Sequence, residues 1–329
     1  MKTWIKRSIV FASLVVLAGA GGLAWYARQP LRIEPMPKTI NVMPGTHLRS
    51  LSVMLERESV IGNAPVFWLL GRVLGKGGTL KAGVYTLDKP LTPLELYARI
   101  ERGEVSQAVV QFIEGWNWRE VRAALAAQPT LKNDSAGMSD AELMQAIGAE
   151  ESHPEGLLFP DTYFYAPHTS DIKVLRRAYR LQHDKLMAAW ETRAPGLPYR
   201  TPYEALIMAS IVEKETGTAF ERPQIAGVFV NRLRLGMRLQ TDPTVIYGLG
   251  ERFDGNLRKV DLQRDTPYNT YTRVGLPPTP IAMPSEAAIQ AALNPAKTGA
   301  LYFVARGDGT HIFSDNLAAH NQAVNRYQR

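Results

Sequence analysis

A chain of 329 residues that is 45% hydrophobic and 21% charged has ordinary globular composition and room for more than one folded unit; long disordered tracts and a polytopic membrane protein are excluded. With no cysteine there are no disulfides, thiolate metal sites or cysteine nucleophiles, and the six histidines lack HExxH or HxH spacing, so neither a metal nor another cofactor is expected. The net charge of +7 suits an acidic partner, but cations such as Arg176, Arg177 and Arg180 sit among apolar helix positions with no basic-aromatic stripe, so no nucleic-acid surface is expected.

Lys2, Lys6 and Arg7 precede an uncharged run from Ser8 to Ala27 that ends in Trp25 and Tyr26 before Arg28. Such a run has the length to cross a bilayer, with its basic end cytoplasmic and its aromatic pair at the far interface. Ala18-Gly19-Ala20 resembles a signal-peptidase site, yet the apolar run continues past it to Trp25, which favours a retained anchor over residues 1–29. Either way the remainder is exported. Residues 30–38, with Pro30 and several charges, form a linker.

Thr39 to Val42 is β-prone, Pro44-Gly45-Thr46 supplies a turn and a candidate N-cap, and Leu48, Leu51, Met54 and Leu55 recur at helical spacing. Asn63 caps a second predicted helix with a stripe of Val66, Phe67, Leu70 and Val73, and Lys81 to Leu87 reads as a strand. Residues 39–105 thus have the β-α-α-β order of a LysM-like domain, either a glycan-binding module or a support that holds the rest of the chain away from the membrane. Thr92-Pro93 opens a helix through Leu96 and Ile100 that stops at Gly103.

Residues 106–329 are expected to form a larger α+β domain. Gln107 to Ile113 is a strand candidate, Trp118 to Ala127 and Ser139 to Ile147 are helical, and Asp171 to Trp190 reads as one amphipathic rod. A helix through Ser210 to Glu215 ends near Gly217, Pro223 sits in the first turn of the next helix, and Ser285 caps an alanine-rich one. Leu301 to Ala305 and His311 to Phe313 flank Gly307-Asp308-Gly309 as a hairpin.

Glu213 and Glu215 lie two residues apart on that helix, so they point to different sides. Glu215 continues the stripe of Met208, Ile211 and Val212, which places its carboxyl at the edge of an apolar face near a helix C-terminus; both features favour the protonated acid. A glycosidic oxygen needs such a donor, the logic by which a carboxyl in an apolar pocket gives up its proton in lysozyme. The competing reading is a solvated carboxylate paired with Lys214 or Arg222.

The strings ASIVEKETG, VFVNRLRLGMRLQTDPTVIYG, TPYNTYT and GLPPTPIAMPS, with EGW at Glu114 to Trp116, GLLFPDTYFY at Gly156 to Tyr165 and the terminal LYFVA, resemble the endolytic murein transglycosylase family, MltG (YceG-like). The resemblance runs from the β-α-α-β unit to the C-terminal hairpin. It implies a lytic transglycosylase that cuts the β-1,4 bond between N-acetylmuramic acid and N-acetylglucosamine of nascent peptidoglycan strands, leaving a 1,6-anhydro end. The catalytic acid is then the second glutamate of E-K-E-T, Glu215, with Glu213 the runner-up. It also implies coupling to peptidoglycan synthases (penicillin-binding proteins) at the inner membrane, with the catalytic domain periplasmic.

Asn231, Arg232, Gln240, Thr241, Asp242, Tyr268, Asn269 and Tyr271 lie in the matched strings and are candidates to bind sugar, although Asp242-Pro243 also starts turns. A hydrolase would need a second carboxylate, for which Asp242 and Asp161 are available. The alternative from another class is a non-catalytic membrane-anchored scaffold that binds peptidoglycan and positions synthases by contact.

Overall fold

The computed structural model describes residues 2–43, 45–75 and 80–328; Pro44 of the expected turn, and the side chains of Lys2, Thr3, Ile5, Lys6, Ser8, Ile9 and Ala12 in the expected anchor, lie outside what is described. The chain is α+β and mainly helical, with small two-stranded sheets. It divides into two compact units, residues 1–108 with 164–167, and residues 109–163 with 168–329.

The first unit begins with α1 (Lys2–Arg28) and continues through β1 (Lys38–Val42), α2 (Leu48–Arg57), α3 (Ala64–Val73), β2 (Gly83–Leu87) and α4 (Pro93–Arg102). β1 and β2 pair antiparallel with Ile40 opposite Tyr85, which completes the expected β-α-α-β order. Asn63 caps α3 by accepting the Val66 N–H at 3.0 Å, Thr92 and Glu95 form a reciprocal cap on α4, and Gly103 ends α4 at φ +70°. Two details differ from expectation. Thr46 does not cap α2, because its hydroxyl donates to the Met43 carbonyl and His47 takes the cap position. The buried stripe of α3 is Ala64, Phe67, Leu70 and Gly71, while Val73 is exposed.

The core of this unit gathers Leu51, Leu55, Phe67, Tyr85, Leu96, Tyr97 and Ile100, and it includes the last turn of α1 through Ala27, with Leu23 and Tyr26 packed against it. Earlier in α1, Phe11, Leu14, Val16 and Leu17 are exposed. Among the described residues no helix is long and apolar enough to cross a membrane.

The second unit carries β3 (Ala108–Gln111), α5 (Trp118–Ala126), α6 (Asp140–Ile147), β4 (Thr162–Tyr165), α7 (Asp171–Glu191), α8 (Pro202–Glu215), α9 (Arg222–Arg234), α10 (Asp242–Leu249), α11 (Lys259–Gln263), α12 (Glu286–Leu293), β5 (Tyr302–Ala305), β6 (His311–Ser314) and α13 (Leu317–Tyr327). The unit boundary assigns Ala108 and the end of β4 to the first unit. β3 pairs with β4, and β5 with β6 as the expected hairpin, Phe303 opposite Phe313.

α8 is the central element of the second unit, packed by α12, α9, α7 and α10. Eight consecutive residues, Ala205 to Val212, are buried, so α8 is apolar on every side rather than along one stripe. The premise that a stripe distinguishes Glu215 from Glu213 is therefore corrected: both glutamates follow a helix enclosed all round, and only their individual partners tell them apart.

Candidate active site

Glu215 is the last residue of α8, and Thr216 leaves the helix in an extended conformation. The buried body of α8 thus delivers its final side chain to a surface groove of about 550 Å³. One Glu215 carboxylate oxygen accepts a hydrogen bond from the Thr241 hydroxyl. Thr241 is the N-cap residue of α10, where a hydroxyl ordinarily accepts a backbone N–H of the new helix; here it makes no such cap and serves Glu215 instead. Gln240, just before it, holds φ +51°, a left-handed conformation uncommon outside glycine, and its N–H is fixed by the Thr270 carbonyl at 3.1 Å.

Burial raises the proton affinity of the Glu215 carboxyl above the usual carboxylate range. The Thr241 bond opposes that rise, the negative charge of Asp242 adds to it, and the nearby His311 and the positive charge of Arg232 oppose it. A carboxyl of raised proton affinity that opens on a groove can donate to a bound oxygen.

Glu213 has a different environment. Its side chain is 6% exposed, accepts the Ser285 N–H at 3.0 Å and the Ser285 hydroxyl, and meets Arg222 at 3.5 Å. Ser285 in turn caps α12, so Glu213 fastens the start of α12 to the end of α8. With those partners it has no part in the groove. Lys214 reaches the Gly115 carbonyl at 3.1 Å.

The groove has two walls. Arg232, Gln240, Asp242 and Tyr271 stand beside Glu215, and the hairpin with α13 supplies Tyr302, Phe303, His311, His320 and Asn321. Arg232 is 7% exposed and donates to the carbonyls of Leu301 and Leu239, both at 2.6 Å, with its guanidinium 5.2 Å from the Tyr302 ring centre. It therefore holds the hairpin wall while placing a positive charge near Glu215. The Tyr271 hydroxyl donates to Asp242 at 2.5 Å. A depression of about 480 Å³ on α2, between Arg49, Val53 and Arg57, contains one acid, Glu58, which is exposed and has none of this enclosure.

The family model of the YceG-like family matches residues 40–326, a span that includes Glu215 and both walls of the groove. This chain belongs to the YceG-like family. A relative from Bacillus subtilis (strain 168), named endolytic murein transglycosylase, is 31% identical over 93% of this chain and 90% of its own length. One of the same name from Streptococcus pneumoniae serotype 2 (strain D39 / NCTC 7466) is 27% identical over 98% of this chain and 65% of its own. The crystal structure of a yceG-like protein from Listeria monocytogenes aligns with a TM-score of 0.55 at 30% identity, covering 87% of this chain and 98% of that one.

Within this YceG-like chain, the residues expected to contact sugar separate into two groups. Arg232, Gln240, Asp242 and Tyr271 line the groove with Glu215. Asn231, Tyr268 and Asn269 do not. Asn231 donates to the carbonyls of Thr298 and Ala300, which ties α9 to the segment leading into the hairpin. Asn269 is buried and donates to the carbonyls of Asp261, Leu262 and Arg264, closing α11. Tyr268 bonds Thr279 at 2.8 Å and packs edge-on against Tyr247. These are buried or half-buried polar groups satisfied by the chain itself. Asp161 accepts its neighbour's Thr162 N–H at 2.7 Å and lies outside the groove, whereas Asp242 lines it.

Sequence reasoning misses Tyr302, Phe303, His311, His320 and Asn321. Leu301 to Ala305 reads as a strand, but the consecutive residues Tyr302 to Ala305 all line the groove, so the alternation of a strand could not have picked them out. α13 carries no signal beyond Asn316, which caps it by accepting the Ala319 N–H at 2.9 Å.

Proposed function

We propose that this chain is an endolytic lytic transglycosylase of peptidoglycan, with Glu215 as its acid and then its base. The observation that carries this reading is a single half-buried carboxyl of raised proton affinity, placed by the end of a core helix into a groove and held by one hydroxyl. Glu215 would protonate the oxygen linking C1 of N-acetylmuramic acid to C4 of N-acetylglucosamine as that bond breaks. The C6 hydroxyl of the muramoyl unit would attack C1, and its proton would return to the Glu215 carboxylate. Atoms balance without water. Arg232, Gln240, Asp242 and Tyr271 would orient the sugars.

The naming of near full-length relatives as endolytic murein transglycosylases supports the substrate class. The basic residues ahead of the apolar run, and the exposed Phe11, Leu14, Val16 and Leu17 of α1, support an inner-membrane anchor with the folded units periplasmic. The β-α-α-β unit fits a LysM-like domain over residues 39–105 ahead of a catalytic domain at 106–329. An enzyme tethered in this way would act on nascent strands beside peptidoglycan synthases.

The test uses the full chain in detergent micelles on isolated glycan strands, with products read by mass spectrometry. Cleavage yields ends lighter by one water than hydrolysis products, and Glu215→Gln abolishes them. Hydrated ends would indicate a hydrolase with Asp242 as its second carboxylate. Binding without any cleavage by the unaltered chain would indicate a scaffold.

A further inference from the structure

The loop after Glu215 is fastened to the hairpin wall at two points. The Thr218 hydroxyl donates to the Gly309 carbonyl at 2.9 Å, and Glu221 accepts the His311 backbone N–H at 2.8 Å. Both bonds tie the β5–β6 hairpin to the loop. Glu221 makes a third contact, to the ring itself: its other carboxylate oxygen lies 2.8 Å from His311 Nδ1. The Glu221 side chain is 3% exposed and that of His311 is 14% exposed, so this contact is shielded from solvent.

A carboxylate only accepts, so Nδ1 carries the hydrogen and the ring orientation is fixed. The edge of Phe303, at 5.4 Å and 89° to the imidazole, packs on the same ring. Nε2 is the one polar ring atom left, no protein group among the described residues bonds it, and the ring lines the groove that holds Glu215. A buried acid that sets the tautomer of a groove-lining histidine is the arrangement by which proteins present one defined nitrogen to a ligand.

We infer that His311 contacts the glycan strand, its Nε2 accepting a hydroxyl or acetamido N–H of a sugar bound beside Glu215, and that Glu221 is the positioning residue that presents it. The inference rests on the glycan-strand substrate proposed above. It adds a recognition element on the wall opposite Arg232 and Asp242, supplied by a hairpin rather than by the matched strings around the acid.

The experiment measures strand binding in the full chain carrying Glu215→Gln, which does not depend on cleavage, and kcat and KM in the chain with Glu215 intact. In the Glu215→Gln background, His311→Ala weakens binding of glycan strands about tenfold, the scale of a lost buried hydrogen bond. Glu221→Gln weakens it by a smaller factor, and adding it to His311→Ala has no further effect, since it acts through the imidazole. Thr218→Ala, which removes a strand tie and leaves the ring contact, keeps binding within about twofold while lowering thermal stability slightly. With Glu215 intact, His311→Ala raises KM more than it lowers kcat.

The inference is overturned if His311→Ala binds strands as the parent does, or if Glu221→Gln and His311→Ala act additively on binding, which would make Glu221 a fold residue alone. Because the binding arm lacks the acid, absence of cleavage in the unaltered chain would sink the transglycosylase reading while strand binding still decides this one.

Discussion

Thr241 acts on Glu215 through one hydrogen bond, and the direction of its effect can be worked out. Its hydroxyl favours the charged form of Glu215, while burial, the larger influence, favours the neutral form. Thr241→Val removes the opposing bond and leaves the burial, so the proton affinity of Glu215 rises further. If loss of the Glu215 proton sets the alkaline limb of kcat, that limb moves to higher pH in Thr241→Val, with a change of roughly twofold to tenfold at neutral pH. A limb displaced to lower pH would contradict this account. The same carboxyl bears on stability. A raised affinity in the folded state means that folding is disfavoured once pH exceeds the ordinary carboxylate value, and increasingly so up to the raised value. Glu215→Gln therefore melts higher than the parent at pH 8, and the gap closes on acidification below the ordinary carboxylate range. The proposed acid, kept in an unfavourable environment, would exchange stability for function in this way; equal melting at both pH values would argue that the carboxyl is well solvated.

At the level of elements, Glu155 acts within the second unit as a buried tie. It is 2% exposed, accepts the Trp118 N–H at the start of α5 at 3.1 Å, and accepts the Tyr247 hydroxyl of α10 at 3.0 Å. Burial raises its proton affinity to about 7 despite those donors. By the same sign rule, its contribution weakens the fold as pH climbs from the ordinary carboxylate range to about 7 and is constant above it. Thermal melts between pH 5 and pH 8 of Glu155→Gln should lack that part of the decline, whereas Glu155→Ala, which leaves the Trp118 N–H unsatisfied, costs about 1–3 kcal/mol at every pH. Gly227 sets another limit: a Cβ there would stand 2.7 Å from the Ala296 carbonyl oxygen and 2.8 Å from Thr298. Gly227→Ala should push α9 off the segment leading to the hairpin wall, at a cost of about 1–3 kcal/mol seen in chemical denaturation.

How much of this is legible in the sequence depends on the kind of signal each element carries. Helices with a side-chain cap or a terminal glycine, such as those opened by Asn63, Thr92 and Ser139 or closed by Gly103, can be placed from local rules because their ends are local chemistry. α10 cannot, since Asp242-Pro243 satisfies a turn as well as a first helical turn, and the deciding feature, Thr241 turned towards Glu215, comes from 26 residues away. The same limit explains the site. Arg232 and Tyr271 come forward because they lie in distinctive strings, but Asn231 and Asn269, equally polar and in the same strings, spend their amides on carbonyls of the chain. The hairpin wall reads as structure alone, because only tertiary packing brings His311 back to Glu221 across 90 residues.

For the whole molecule, the proposed anchor and the core of the first unit both draw on the end of α1. The proposed anchor needs its apolar side chains free for lipid, as Phe11, Leu14, Val16 and Leu17 are, yet Ala27 is buried in the core of the first unit, and Leu23 and Tyr26 pack on that core beside α3 and α4. The apolar run expected to extend to Ala27 is therefore divided: its first part is exposed and its last turn belongs to the fold. A shortened chain that starts at Gln29 removes the Leu23, Tyr26 and Ala27 contacts and exposes their partners, at about 25 cal/mol per Å² of apolar surface uncovered, on the order of 2–4 kcal/mol for the turn. One that starts at Ala20 keeps them. In detergent-free buffer the shorter chain should therefore unfold its first unit at lower denaturant than the longer one, followed by fluorescence of Trp68, while the unfolding of the second unit is the same in both. Coincident first-unit transitions would show that the turn rests on the fold without supporting it, and the anchor would then be free to end at Ala27.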